Sequence, residues 1–118
     1  MKLTISGSLC DLNTYISVER SNRFMAAKIK KEETELVYWA CKEQKLKPYR
    51  GKITEIIFSW YCKNKKKDPD NISSFGRKVI LDGMVLAKVL KSDGWNTIEG
   101  FADRFYIDKH ERVEIEII

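Results

Sequence analysis

Residues 53–71 read ITEIIFSWYCKNKKKDPDN and decide the fold. The first part, 53–62, is mostly β-branched or aromatic, which predicts a strand that is largely buried. The lysine-rich stretch 63–67 separates this strand from 68–71 (DPDN), which places a capping carboxylate and a proline where helices begin. Apolar residues then recur at helical spacing, which predicts a long helix that ends near Lys91.

The chain on either side of this segment carries weaker signals. Alternation predicts strands at both ends of the chain, and good helix formers follow a polar stretch. The predicted elements are a strand at 2–8, an irregular loop at 10–20, a helix at 22–44, a turn at 48–51, and a β-hairpin of 101–107 and 113–117 around 108–111. We therefore predict an α+β (mixed α/β) fold, a single small domain over 1–118 with one mixed β-sheet of about four strands backed by two helices.

Composition limits the class of protein. The 118 residues include 22 Lys and Arg against 17 Asp and Glu, a net charge of +5, and 43% are hydrophobic. Such a chain is not collagen-like, low-complexity or wholly disordered. No apolar run approaches the ~20 residues of a membrane span, and the alternating start lacks the apolar core of a signal peptide. These features predict a cytoplasmic protein with no membrane partner.

Cysteine and histidine are too few for several kinds of site. Cys10, Cys41 and Cys62 are far apart and odd in number, and His110 is the only histidine. That pattern fits neither a zinc site nor a disulfide scaffold, and it predicts three reduced thiols in or near the core. A metal in this protein would need oxygen ligands, which favours magnesium or a similar hard cation.

Positive charge is densest in one segment, and a second basic stretch contains Lys42, Lys45, Lys47, Arg50 and Lys52. Four lysines surround Asn64, namely Lys63, Lys65, Lys66 and Lys67. A basic face of this kind can bind phosphate, and the alternative is a solvated loop that keeps the protein soluble.

Asp68 and Asp70 follow the lysines directly, two residues apart at a helix start. Side chains at i and i+2 of an extended segment point the same way, so the two carboxylates could hold one divalent cation, and magnesium suits such a pair. The alternative needs no metal, because Asp-Pro-Asp-Asn is a good helix start. Asp93, in the sequence SDG at 92–94, is either a third ligand or a turn aspartate before glycine.

Three motifs resemble one protein family. KKDPDN at 66–71, LDG at 81–83 and VLKSDGW at 89–95 are similar to the RusA family of Holliday junction resolvases, the crossover junction endodeoxyribonucleases. Members of that family are small, dimeric, magnesium-dependent enzymes that are often encoded by prophages. The resemblance covers most of the chain. It implies that Asp68, Asp70 and Asp93 are the catalytic carboxylates and hold Mg²⁺ or, in its place, Mn²⁺.

One position departs from the family pattern. The family often has a lysine four residues after the second aspartate, near the scissile phosphate, and this chain has Ser74 there. Lys78 keeps the family's spacing to Asp82, as an insertion of about one helical turn would explain, so Lys78 is the candidate catalytic lysine, with Lys67 or Lys66 as the alternative. The residues predicted to bind DNA are Lys63, Lys65, Lys66, Lys67, Arg77 and Lys78, with Asn13 and Arg20 from the first loop.

The predicted helix sets a geometric constraint on this site. From Asp70 to its end it spans about 20 residues, or roughly 30 Å at about 1.5 Å per residue, so a straight helix keeps Asp93 away from Asp70. Either the helix breaks near Gly76 or Gly83, or a two-fold partner lies antiparallel to it and supplies Asp93. We expect the second arrangement, a homodimer with shared sites in which the two glycines let the partner helix approach.

Aromatic residues divide by their predicted positions. Those on predicted helices and strands are expected in the core, namely Trp39, Phe58, Trp60, Phe101, Phe105 and Tyr106. Tyr15, Tyr49 and Trp95 fall in predicted loops. Trp95 follows the Asp93 turn and is the first candidate to stack on an unpaired base.

The sequence predicts a magnesium-dependent, structure-selective endodeoxyribonuclease. It would resolve four-way (Holliday) DNA junctions in recombination and repair by paired phosphodiester hydrolysis, as a bacterial or prophage-encoded homodimer without a small-molecule cofactor. The alternative is a non-catalytic basic DNA-binding or replication accessory module, in which the aspartates only cap helices or form turns.

Overall fold

The computed structural model describes all residues, 1–118, as one mixed sheet with helices packed on it. The strands are β1 (Lys2–Ser6), β2 (Ile56–Cys62), β3 (Phe101–Ile107) and β4 (Arg112–Ile117), and the helices are α1 (Leu12–Ser21), α2 (Arg23–Glu43) and α3 (Pro69–Leu86). The strand order is β1-β4-β2-β3. β4 is antiparallel to both of its neighbours, whereas β2 and β3 are parallel. The predicted α+β fold with one mixed four-stranded sheet is confirmed.

Helix α1 occupies most of the segment predicted to be an irregular loop, so three helices accompany the sheet rather than two. Asp11 begins it, because its carboxylate accepts hydrogen bonds from the Thr14 N–H at 3.0 Å and from the Thr14 hydroxyl at 2.8 Å. No residue of α1 is fully buried, and its apolar residues at helical spacing, Leu12, Tyr15 and Ile16, are only half-buried. Tyr15, predicted in a loop, lies in α1 and stacks on Phe75 of α3 with ring centroids 4.2 Å apart.

Strands β3 and β4 do not form the predicted hairpin, because β2 lies between them. The connection 108–111 instead passes over the end of β2, where the Asp108 N–H donates to the carbonyl oxygen of Cys62 at 2.9 Å. A turn between neighbouring strands and a short bridge over a third strand carry the same local sequence signals. Strand pairing, which is non-local, decides between them.

Helix α3 ends at Leu86, before the end that its sequence predicts. The Lys88 N–H donates to the Val85 carbonyl and the Val89 N–H to the Met84 carbonyl, both at 2.9 Å. Lys88 has a φ of 62°, so this is a Schellman ending with lysine where glycine is usual. The usual sequence signal of this ending is absent.

Two glycines bring α3 close to its neighbours within the chain. A Cβ atom on Gly76 would lie 2.8 Å from the Trp60 ring, and one on Gly83 would lie 2.5 Å from the Cβ of Val37 in α2. Both glycines are buried and α3 is continuous through them. The expectation that they admit a partner helix is therefore wrong, and so is the alternative that they break α3.

The core lies between the sheet and the helices and contains Phe58 and Trp60, as predicted. The other four aromatic residues predicted in the core are exposed, namely Trp39, Phe101, Phe105 and Tyr106. The last three belong to β3, an edge strand that the helices leave partly uncovered. The three cysteines are free. None of the helices combines the length and the hydropathy that crossing a bilayer requires.

Candidate nucleic-acid interface and metal site

Residues 63–67, here called the lysine loop, join the end of β2 to the start of α3. Two contacts hold its ends: the Lys63 ammonium lies 3.5 Å from Glu111, and the Lys67 ammonium lies 3.0 Å from Asp11. Within the loop, the Asn64 side-chain oxygen accepts from the backbone N–H of Lys66 at 3.0 Å. Of the loop's lysines, only Lys65 and Lys66 form no ion pair. These contacts hold the loop in one conformation, and Lys65 and Lys66 near its middle are unpaired.

Asp11 ties the lysine loop to the start of α1, and sequence reasoning missed this role. Its side chain is only 10% exposed. Burial alone would raise the pKa of this carboxyl, but hydrogen bonds from Thr14 and Lys67 together hold the pKa well below its ordinary value. Aspartate followed three residues later by threonine is the signal in the sequence that could have indicated a helix cap.

A second contact joins the starts of α1 and α3. The Asn13 backbone N–H donates to the side-chain oxygen of Asn71 at 2.8 Å. This places Asn13, a predicted DNA contact, beside the candidate site and uses its backbone rather than its side chain. Arg20, the other predicted contact of this segment, lies exposed in the last turn of α1 and forms no ion pair. Both predicted DNA contacts remain predictions.

Asp68 occupies the N-cap position of α3 and its side chain makes no capping hydrogen bond. Asp70, in the first turn of α3, accepts a hydrogen bond from the Ser74 hydroxyl at 2.8 Å. Both aspartates are exposed. The capping interpretation is therefore wrong for the side chain of Asp68, which stands next to the lysine loop with its carboxylate oxygens unbound.

Asp93 follows the end of α3 in the chain and contacts Lys78, which lies in the middle of the helix. The Lys78 ammonium is 3.1 Å from Asp82 and 3.6 Å from Asp93. The hydrogen bond to Asp82 is the largest cause that raises the pKa of Lys78, so this side chain stays protonated near neutral pH. Lys78 can therefore stabilise negative charge, and it is unsuited to accept a proton.

The three predicted metal ligands do not converge within one chain. No group of three or more His, Cys, Asp or Glu side chains is placed to hold a metal ion. Asp70 and Lys78 are eight residues apart on an unbroken helix, about 12 Å along its axis, and Asp93 lies at the Lys78 level. Asp68 and Asp70 thus form one half of the predicted ligand set, and Asp93 lies two helical turns away.

Arg77 was predicted to contact DNA, but its side chain is already bound within the protein. Its guanidinium forms an ion pair with Asp103 of β3 and lies over the Phe101 ring. The other carboxylate oxygen of Asp103 accepts from the Trp60 indole N–H at 2.9 Å. This partly buried network joins α3 to β2 and β3, so the charge of Arg77 is already compensated by the sheet. Binding phosphate through Arg77 would break a structural contact, and we assign it no DNA contact.

Models of known protein families contain no match to this chain, and no curated protein is significantly similar to it. The fold and the residues themselves define the class: a small α+β protein with a lysine loop beside two exposed carboxylates.

Proposed function

We propose that this protein is a magnesium-dependent, structure-selective endodeoxyribonuclease that cuts four-way DNA junctions as a homodimer. The observation that carries the proposal is the state of Asp68, whose carboxylate caps no helix and stands between the lysine loop and Asp70. The resemblance of the KKDPDN, LDG and SDGW motifs to the RusA family supplies the reaction class. One kind of support is geometric and the other is a sequence pattern, and Asp68 belongs to both.

The donor set suits a hard cation. Asp68 and Asp70 offer only carboxylate oxygens, which Mg²⁺ prefers, and the partner's Asp93 would complete the set. When bound, such an ion polarises a phosphodiester and lowers the pKa of a bound water. The Ser74 hydroxyl orients one oxygen of Asp70 and leaves the other free to act as a ligand.

The lysines near the site have different proposed roles. Lys65 and Lys66 are free to bind the DNA backbone, because neither is paired within the chain. Lys67 is oriented by the buried carboxylate of Asp11 and contributes a positive potential at the rim of the site. Lys78, protonated at neutral pH, stabilises the negative charge that develops on the phosphate during hydrolysis.

A second copy of the chain would bring the two halves of the ligand set together. Asp70, Ser74, Lys78 and Asp82 succeed one another at four-residue spacing, so they follow one exposed side of α3. Pairing this side antiparallel with the same side of a partner places the Asp93 end of one subunit near the Asp70 end of the other.

A synthetic four-way junction incubated with Mg²⁺, and in parallel with Ca²⁺, tests the proposal. We expect symmetric nicks in Mg²⁺ and binding without cutting in Ca²⁺. Asp70→Asn should abolish nicking and retain binding, because the lysine loop is unchanged. Glu32→Gln, which removes another exposed carboxylate, on α2, is the matched control and should cut normally. Full nicking by Asp70→Asn would refute the assignment.

The alternative of a non-catalytic DNA-binding module keeps one observation in its favour. Lys78 compensates Asp93 within the chain, so Asp93 has a structural partner without any metal. Under this alternative the protein binds junctions with the same salt sensitivity and leaves every strand intact in Mg²⁺. The junction assay therefore separates the two functions directly.

A further inference from the structure

A pocket of about 260 Å³ opens between the lysine loop, the first turn of α3 and the end of β3. The strand residues that line it, here called its floor, are Cys62, Phe105, Tyr106 and Ile107, and Pro69 and Ile72 of α3 complete the apolar lining. Its polar lining residues, here called its rim, are Asn64, Lys65, Lys67 and Asp68. One side of the pocket is thus suited to a flat apolar group, and the other side to an anion.

The strand register explains why Phe105 belongs to this floor. Phe105 pairs with Trp60 in the parallel β2–β3 ladder, and Trp60 faces Gly76 of α3. Paired residues of a ladder point to the same face of a sheet, so Phe105 points toward the α3 side. Because β3 is the edge strand, α3 does not cover this ring, and Phe105 is 37% exposed.

We propose that this pocket binds a single unstacked nucleobase of the DNA, the one that flanks the phosphodiester to be cut. The inference rests on the proposed function and adds a substrate subsite to it. The volume is below the roughly 300 Å³ at which pockets for drug-sized ligands begin, and it suits one ring system. Every base has a face that stacks on an aromatic ring, so stacking on the floor does not distinguish one base from another.

Charge complementarity selects DNA as the occupant. Lys65, free of any ion pair, stands on the rim where the phosphate attached to the bound base would lie. Asp68, on the same rim, is one of the two candidate metal ligands of this chain. A base in the pocket therefore places its own phosphate between the free cation and the candidate metal site. A second copy of the chain, covering the exposed β3 edge, is the competing occupant. Such a contact would not require Lys65 and Asp68 beside the pocket.

Two phenylalanines of β3 provide a matched comparison. Phe101 and Phe105 lie four residues apart on the same face of the strand, and they are 42% and 37% exposed. Only Phe105 lines the pocket. Phe105→Ala and Phe101→Ala therefore remove the same side chain from edge positions of similar exposure. Only Phe105→Ala removes an aromatic ring from the pocket.

The experiment uses four-way junctions that carry 2-aminopurine at each position next to the crossover, with Ca²⁺ in place of Mg²⁺ so that no strand is cut. We expect the fluorescence of one position to rise on binding of the unaltered protein, because that base leaves the stack. Phe105→Ala should lose this rise and bind the junction about tenfold more weakly, the usual effect of removing one base-stacking side chain. Phe105→Tyr, which keeps the ring, should restore both, and Phe101→Ala should leave both unchanged.

The outcomes separate this inference from the proposed function. A protein that cuts junctions in Mg²⁺ but shows an equal fluorescence rise with Phe105→Ala retains the function and loses the base pocket. Loss of the dimer on sedimentation of Phe105→Ala, with the fluorescence rise intact, would assign the pocket to a second copy and overturn the inference. A protein that shows the Phe105-dependent rise and never cuts retains the pocket as part of a binding module. Circular dichroism and thermal melting of each variant check that it is folded.

Discussion

The ammonium nitrogen of Lys78 lies 3.6 Å from a carboxylate oxygen of Asp93, although the C-terminus of α3 separates the two residues in the chain. The contact shows that the segment after α3 folds back along the helix. Asp93 is therefore held at the Lys78 level, away from Asp68 and Asp70. A metal ion bound by Asp93 must share this carboxylate with a protonated lysine.

Replacing Lys78 by methionine separates its chemical role from its structural one. We expect junction cutting to fall by about 10²-fold or more, as when one donor to a developing negative charge is removed, with little change in binding. Lys28→Met, which removes the lysine of a comparable exposed pair with Glu32, is the control and should cut normally. Equal cutting rates of the two variants would contradict the role given to Lys78.

The stability contributed by Lys78 has a defined pH window. Its pKa is raised above the ordinary 10.5, so the contribution is fully present below that pH and is lost as the pH rises through the raised pKa. The pair is exposed and screened by solvent, so Lys78→Met should lower the free energy of unfolding by only about 0.5 kcal/mol at pH 7. Urea titrations from pH 7 to strongly alkaline pH should show this difference disappear.

Mixing two inactive variants tests the shared site. If Asp70 and the partner's Asp93 hold one metal ion, a heterodimer of Asp70→Asn with Asp93→Asn contains one intact site and one that lacks both residues. Random mixing should then restore about a quarter of the single-strand nicking and almost no paired resolution. Gel analysis of both strand ends measures this, and a mixture as inactive as its components would place all three ligands in one chain or in none.

The salt dependence of DNA binding should report which lysines are free. Lys66 is unpaired, so Lys66→Ala should reduce the slope of log affinity against log salt concentration by about 0.9. Lys63 is already paired with Glu111, and Lys63→Ala should change the slope by less. Fluorescence anisotropy of a labelled junction between low and high salt measures both slopes. Identical slopes for the two variants would mean that the Lys63 pair does not persist near DNA.

Asp11 should link folding to DNA binding. Asp11→Ala removes a helix cap and the partner of Lys67, and we expect a loss of about 1–2 kcal/mol in the free energy of unfolding together with weaker junction binding. Asn22→Ala removes the cap of α2, distant from the lysine loop, so it should lower stability alone. Junction binding that is unaffected by Asp11→Ala would show that the Lys67 tether is dispensable.

Acid should remove the contribution of the charged Asp11 carboxylate. The pKa of this group is lowered from its ordinary 3.8, so the contribution is present above that pH and is lost as the pH falls through the native pKa. The stability difference between the unaltered protein and Asp11→Asn should therefore be constant near neutrality and shrink in strong acid. Urea midpoints measured at several pH values provide the comparison.

Gly83→Ala should reverse the usual effect of alanine in a helix. Alanine normally stabilises a helix interior relative to glycine by about 1 kcal/mol, but here its Cβ would meet Val37 and the Thr34 carbonyl oxygen. We expect a net loss of about 1–3 kcal/mol from overpacking. In a double-mutant cycle, Val37→Gly, which removes both Val37 atoms that the new Cβ would meet, should recover part of this loss, and strictly additive effects would argue against the contact.

Local sequence chemistry determined the centre of the fold. The β-branched and aromatic run before the lysines, and the proline and aspartates after them, predicted β2 and the start of α3 where they lie. The lysine loop and the adjacent carboxylates were likewise readable as a cluster of charge, since neighbours in the chain stay neighbours in space. These signals are short-range and need no knowledge of distant segments.

Tertiary structure decided what surrounds that centre. Asp11 meets Lys67, Asp93 meets Lys78, and β4 enters between β1 and β2, all through contacts between distant parts of the chain. Helix α1 has no fully buried residue, and its apolar row of Leu12, Tyr15 and Ile16 is short, so its signal in the sequence is weak. The close partners of the α3 glycines depend on how the helix packs against the rest of the chain. Short peptide segments encode their own preferred conformations, whereas strand order and ion-pair partners depend on which surfaces the whole chain buries together.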